Sequence, residues 1–347
     1  MSKKHVIGVI IVAGLIAGLS LFFWTWYSRI HSMTDKTAGA TTLAVYADTI
    51  PVSEPPFAVV PVPRDIRIAS YFAFMDSLVA KYDTLTPYPL SEHLIVRANS
   101  WIIDTLENTD YYRRIALGRF VFDQRAEVVL KAGDTLLLPG PQTAAGLLAM
   151  MNATRLDINI PSFRLQIIEG DRTLYSFPVR VGKNQHKFLA MAGREADLRT
   201  LTGTGEIIRI NRNPVFYDPV TGKSFKYTKR DDRNYTLMPQ IPWLEPAIDG
   251  RRYGQMIHPT TNPATLGKAA SNGCIGLGEA DSWRVYYYAP MGTGVVIRYD
   301  LTEVTKQGDT LRYKDIYQHQ KSGKKPKKYA SIGFPFPAIP NSCWCLP

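Results

Sequence analysis

Between Phe163 and Leu301 the chain is cut into short segments of β-like character, each ended by Gly, Asn, Asp or Pro. This punctuation constrains the fold most, because strands with a period of two bury one face each and leave little length for helices. Phe163, Leu165 and Ile167 alternate with Arg164, Gln166 and Ile168, and Glu169-Gly170-Asp171 then turns the chain into Thr173–Val181. Further β-like runs are Glu206–Ile210 and Gly294–Leu301, and a last hairpin turns at Gln307-Gly308-Asp309 and returns through Leu311–Ile316. The expectation is a mainly β, sandwich-like domain over residues 151–318.

At 347 residues the chain exceeds one typical domain, so appendages are expected. Residues 1–5 carry Lys3 and Lys4, and residues 6–27 follow as an apolar run without a charge, long enough to cross about 30 Å of hydrocarbon as a helix. Trp24, Trp26 and Tyr27 crowd its far end, where amphipathic rings favour the interface. The run predicts a single-pass anchor in the cytoplasmic membrane with everything beyond it outside the cytoplasm; a cleaved signal peptide is the alternative. Residues 28–64, dense in proline, read as an extended linker. Residues 65–150 open with a helix from Asp65, whose Ile68, Phe72, Met75, Val79 and Tyr82 share a face, and close with a helix-like TAAGLLAMMN. Residues 319–347 hold a basic run, KSGKKPKK, and a proline-aromatic tail with Cys343 and Cys345.

The formal net charge of +11 suits an anionic partner such as a wall polymer or phospholipid headgroups. Nucleic acid is not expected, as the chain has no helix-turn-helix, zinc or RNP-type motif. Three cysteines do not make a disulfide framework. Neither H-E-x-x-H zinc spacing nor S-x-x-K or G-x-S-x-G serine motifs occur, and no metal or cofactor is expected.

One stretch concentrates chemistry: IHPTTNPATLGKAASNGCIGL, Ile257 to Leu277, with one of six histidines and one of three cysteines. A thiol attacks as its thiolate and needs a base nearby and N–H donors for the oxyanion. Gly273 before Cys274 permits backbone geometry that a side chain blocks. Cys274 follows His258 by sixteen positions of Gly/Asn/Pro-containing loop, long enough to fold the imidazole onto the sulfur. Of the remaining histidines only His186 lies within the β-rich stretch.

The same residues resemble the L,D-transpeptidase (YkuD) family, whose signature pairs a histidine with S-x-G-C-[IV]-[RN]-[LMV]. The matching positions are His258, Ser271, Gly273, Cys274, Ile275 and Leu277, and the likeness extends over roughly Leu156–Leu301. It implies Cys274 as nucleophile, His258 as general base and acid, the Pro259 carbonyl as the group orienting His258, and Gly273 as an oxyanion amide. Ser271, Asn272 and Tyr253 are the implied substrate contacts, and peptidoglycan stem peptides the implied partners. Pro259, Asn272 and Gly276 depart from the family pattern; Gly276 removes a polar side chain beside the site. The implied reaction moves an acyl group from a stem tetrapeptide to an amine; water as acceptor, or a decayed wall-binding module, are the alternatives. Residues His93–Pro139 resemble a LysM module, a small βααβ glycan-binding unit, chiefly through GDTLLLP.

Overall fold

Glu169-Gly170-Asp171 turns as its composition predicts, with Gly170 at φ 58, and joins Arg164–Glu169 to Arg172–Pro178 as an antiparallel hairpin. The protein is represented by a computed structural model that describes residues 54–305 and 307–318. The hairpin is one end of a nine-stranded sheet. From that end the order runs through Thr154–Asn159, Gly294–Arg298, Gly203–Asn211, Trp243–Ile248 and Ile257–Pro259 to Ile275–Leu277, while Arg251–Arg252 pairs off Trp243–Ile248. The expected β-rich domain is present, and the last hairpin forms from Thr302–Val304 and Thr310–Arg312.

Two joints of this sheet position the site. Ile257–Pro259 and Ile275–Leu277 run parallel, with His258 beside Gly276. At the opposite end, the chain leaves Pro178 and crosses to the other edge within two residues. Val179 still donates to Phe163 O (2.9 Å), but Arg180 and Gly276 already exchange backbone hydrogen bonds of 2.9 and 3.0 Å. Val181–Gly182 then pairs with Ala269–Ser271. One crossing thus ties the hairpin edge to the strand that directly follows the cysteine. Gly205 lies so close to Ala247 that an added Cβ would stand 1.6 Å from its carbonyl oxygen.

The helix expected from Asp65 spans Ile68–Tyr82, with Ile68, Tyr71, Met75 and Leu78 buried, a stripe shifted by one residue at two positions from that expected. Pro141–Asn152 is the helix expected at TAAGLLAMMN, and Glu279–Tyr288 is a further helix. The LysM likeness finds no support. His93 to Leu106, expected to open with a strand, forms the helices Glu92–Ala98 and Trp101–Glu107, the first capped by Ser91 Oγ accepting from Leu94 N–H (3.1 Å). Thr135–Leu138 does form the strand of GDTLLLP, but its partner is Ala58–Pro61, part of the expected linker. This helical region is no separate bead; every described residue falls in one compact unit.

Localisation needs correction. Among the described residues no helix is long and apolar enough to cross a membrane. The apolar run at 6–27 and the tail at 319–347 lie outside the described residues, so the single-pass anchor and the extracytoplasmic placement drawn from that run have no support here.

Candidate active site

His258 lies on the Ile257–Pro259 strand, and Cys274 directly precedes the parallel Ile275–Leu277 strand. Ile275 pairs with Ile257 and Gly276 with His258, so Cys274 stands level with Met256, two residues from His258 on the same sheet face. The Met256 N–H points at Cys274 Sγ over 3.1 Å, and the Gly254 carbonyl oxygen lies 4.0 Å from it. Cys274 and His258 are both buried, and Cys274 clusters with Phe216, Met238, Trp243 and Met256. The Cys274 sulfur is held in a disulfide. The chain's other cysteines, Cys343 and Cys345, lie outside the described residues.

The imidazole has one fixed tautomer. Nδ1 of His258 lies 2.8 Å from the Pro259 carbonyl oxygen, and a carbonyl only accepts, so Nδ1 carries the proton. Nε2 is left with its lone pair, buried and without a hydrogen-bond partner among the described residues. Proline in place of a smaller residue costs nothing here, because only its carbonyl is used. The ring packs on Trp243, with centroids 4.8 Å apart. Burial, then the nearby Arg180 charge, push the imidazolium down to about 3 despite the Pro259 hydrogen bond. His258 is therefore neutral at any ordinary pH.

Gly273 adopts φ 113, a conformation that L side chains rarely enter, and this turn presents Cys274. Its N–H donates to Ser271 Oγ (3.2 Å), while Ser271 Oγ donates to the Cys274 carbonyl (2.6 Å). The amide expected to face an oxyanion is thus engaged within the loop, and Ser271, itself buried, shapes that loop. Asn272 is half-buried beside it. Tyr253, also half-buried, precedes the glycine whose carbonyl approaches the sulfur. His186 is remote in character, on the exposed hairpin His186–Leu189 with Arg194–Asp197.

Four residues were not anticipated. Thr200 Oγ1 donates to the Gly273 carbonyl (2.9 Å) and accepts from Gly182 N–H (2.8 Å). Gln255 clamps the same region, donating to Arg199 O (3.2 Å) and accepting from Leu201 N–H (3.1 Å). Trp243 walls the imidazole, and Arg180 lies over Gly276. No local pattern marks these positions, because each acts through a partner far along the chain.

The helical region buttresses the histidine loop. Tyr112 hydroxyl donates to Thr261 O (2.8 Å), three residues beyond His258. Tyr111 N–H donates to Glu279 Oε2 (3.1 Å), and Asp110 accepts from Ala280 N–H (2.9 Å) at the start of the Glu279–Tyr288 helix. Glu92 accepts from the Tyr286 (3.2 Å) and Tyr287 (2.7 Å) hydroxyls near the other end of that helix. Among the described residues no group of three His, Cys, Asp or Glu is placed to hold a metal.

Comparison with known proteins bears on the same segment. The YkuD family profile, an L,D-transpeptidase catalytic domain, matches residues 153–297. A putative L,D-transpeptidase YkuD from Bacillus licheniformis is 26% identical over 171 residues, covering 48% of this chain and 76% of its own length. The Bacillus subtilis protein of the same name is 29% identical over 173 residues, covering 48% and 77%. An L,D-transpeptidase structure from Mycobacterium smegmatis aligns at 15% identity and TM-score 0.30 over 42% of this chain, which spans 58% of that one. One from Xylanimonas cellulosilytica aligns at 15% and TM-score 0.31, covering 71% of this chain and all of that one.

Proposed function

We propose, on the premise that residues 153–297 are an L,D-transpeptidase catalytic domain of the YkuD type, that the chain transfers peptidoglycan stem-peptide acyl groups through Cys274. The observation that carries this reading is the pair itself: a cysteine and a histidine two residues apart on one sheet face, the histidine locked as its Nδ1–H tautomer with Nε2 bare.

The disulfide at Cys274 must first be opened by a thiol reductant, since only the thiolate attacks. His258 Nε2 then takes the Cys274 proton. The sulfur attacks the carbonyl of the bond between the L-centre of a diamino acid and D-Ala in a stem tetrapeptide. Cleavage of the C–N bond leaves a thioester on Cys274, and His258 gives its proton to the departing D-Ala amine. An amine of a second stem attacks the thioester, His258 receives its proton, and the thiolate leaves. An amide is exchanged for an amide, so no nucleotide is consumed. Met256 N–H, aimed at the sulfur, stabilises the thiolate between steps.

Mass spectrometry of muropeptides incubated with the reduced protein tests the reading. A cross-linked dimer absent with Cys274→Ala supports transfer; a trimmed tripeptide instead means that water is the acceptor. Neither product, together with no covalent carbapenem adduct on Cys274, ends the proposal.

A further inference from the structure

Among the described residues Arg180 is a buried cation with no counter-ion. It is 1% exposed, its Nε finds no hydrogen-bond partner, and among the described residues no carboxylate lies within ion-pair distance of it. Burial alone pulls its guanidinium down to about 10. A protein that desolvates a charge without pairing it carries a cost of several kcal/mol, which a ligand of opposite charge would remove.

Its position says which ligand. Arg180, Gly276 and His258 stand side by side across three strands, so their side-chain directions share one face. Gly276 contributes nothing to that face, and the arginine fills the vacancy: a Cβ at 276 would lie 2.5 Å from Arg180 Nε and 2.7 Å from its Cγ. The stem therefore crosses the glycine toward the imidazole, close enough for its charge to act on His258.

The geometry points to Arg180 as the residue that holds the carboxylate of the leaving D-alanine, and so selects donors that end at that residue. The inference rests on the acyl transfer proposed above. His258 Nε2 must meet the departing amine, and in a terminal D-alanine the carboxylate carbon is two bonds, about 2.5 Å, from that nitrogen. Base and guanidinium thus address adjacent groups of one residue, and a planar guanidinium matches a carboxylate with two parallel hydrogen bonds. One extra D-alanine moves the carboxylate a further residue, roughly 3.5 Å, out of that match.

Three synthetic donors test this with the reduced full chain: a tetrapeptide ending in D-alanine acid, the same peptide as its C-terminal amide, and the pentapeptide ending in D-Ala-D-Ala. Wild-type protein should favour the free-acid tetrapeptide over both by roughly 10- to 100-fold in kcat/KM, as expected for losing a charge-assisted pair, with most of the difference in KM. Arg180→Met should bring the three donors within about threefold of one another, and Arg180→Lys should keep part of the preference. A uniform loss on all donors in Arg180→Met assigns Arg180 a structural role and overturns the inference. If Arg180→Met does not fold, the wild-type ratio decides, and equal turnover of acid and amide overturns it. Wild-type inactivity on every donor, with Cys274 still alkylated by iodoacetamide, refutes acyl transfer itself instead.

Discussion

Replacing Glu279 by glutamine should destabilise the protein far more than its surface chemistry suggests. The carboxylate is 1% exposed and its partner Arg230 2%. Oε1 accepts from Arg230 Nη1 and Oε2 from the Tyr111 N–H. Burial pushes the carboxyl up while Arg230 pulls it down. Glutamine keeps the shape but offers one acceptor to two donors, so either the guanidinium or the Tyr111 amide faces an NH₂ group. Arg230 also loses its counter-charge, keeping Thr236 Oγ1 (2.8 Å) and the ring of Tyr111, 4.6 Å away. Breaking a buried pair from one side costs about 3–5 kcal/mol. For a unit of this size that lowers Tm by roughly 10 °C. Thermal melts followed by circular dichroism, with urea titrations for ΔG, measure it. The double variant Glu279→Leu/Arg230→Leu should recover much of the loss, because removing both charges removes the desolvation cost. A single variant within 1 kcal/mol of wild type, or a double variant worse than both singles, would refute the reasoning.

Burial first, and Arg212 and Arg97 besides, push His93 down to about 4 from 6.5. The unfolded chain therefore takes this proton first, and stability is lost as pH falls from 6.5 through 4, by roughly 3 kcal/mol at 1.36 kcal/mol per unit. His93→Gln should remove that part of the slope in urea titrations across this range. Arg180→Met should raise the His258 pKa, since a cation beside the imidazole is gone; NMR titration of the His258 ring reads it. Because Cys274 is disulfide-bonded, uptake of one carbapenem by mass should require prior dithiothreitol treatment, and equal labelling without reductant would contradict it. Gly205→Ala forces a methyl within 1.6 Å of the Ala247 carbonyl, and the variant should be recovered largely insoluble.

What the sequence discloses depends on whether a feature is local. The Arg164–Pro178 hairpin and the Glu279–Tyr288 helix carry their own signals, a Glu-Gly-Asp turn in one and acidic residues in the first turn of the other. The Cys274 loop was legible because its glycine and thiol are neighbours in the chain. Glu92–Ala98 misled because its apolar residues, Leu94, Ile95 and Val96, are consecutive and all buried, as in a central strand. Its helical state is settled by the Ser91 cap and by packing on several sides, which periodicity does not register. Ala58–Pro61 was masked by Pro61 and the prolines on either side of the strand, and an edge strand tolerates proline at its end. Arg180 was invisible for a deeper reason: FPVRVGK reads as any strand end, and its meaning arises only when the chain crosses to meet Gly276.

The contacts that seat the Glu279–Tyr288 helix also set a timetable. Tyr287 to Glu92 spans 195 positions, Arg284 to Glu107 spans 177, and Ala280 to Asp110 spans 170. On a ribosome the helices that supply these partners emerge long before the helix they receive. Closure of such wide loops is slow. The nascent chain must therefore wait with Glu92 and Asp110 unclaimed until its last third arrives, and the thiol loop, made in that same third, is among the final parts to be set in place.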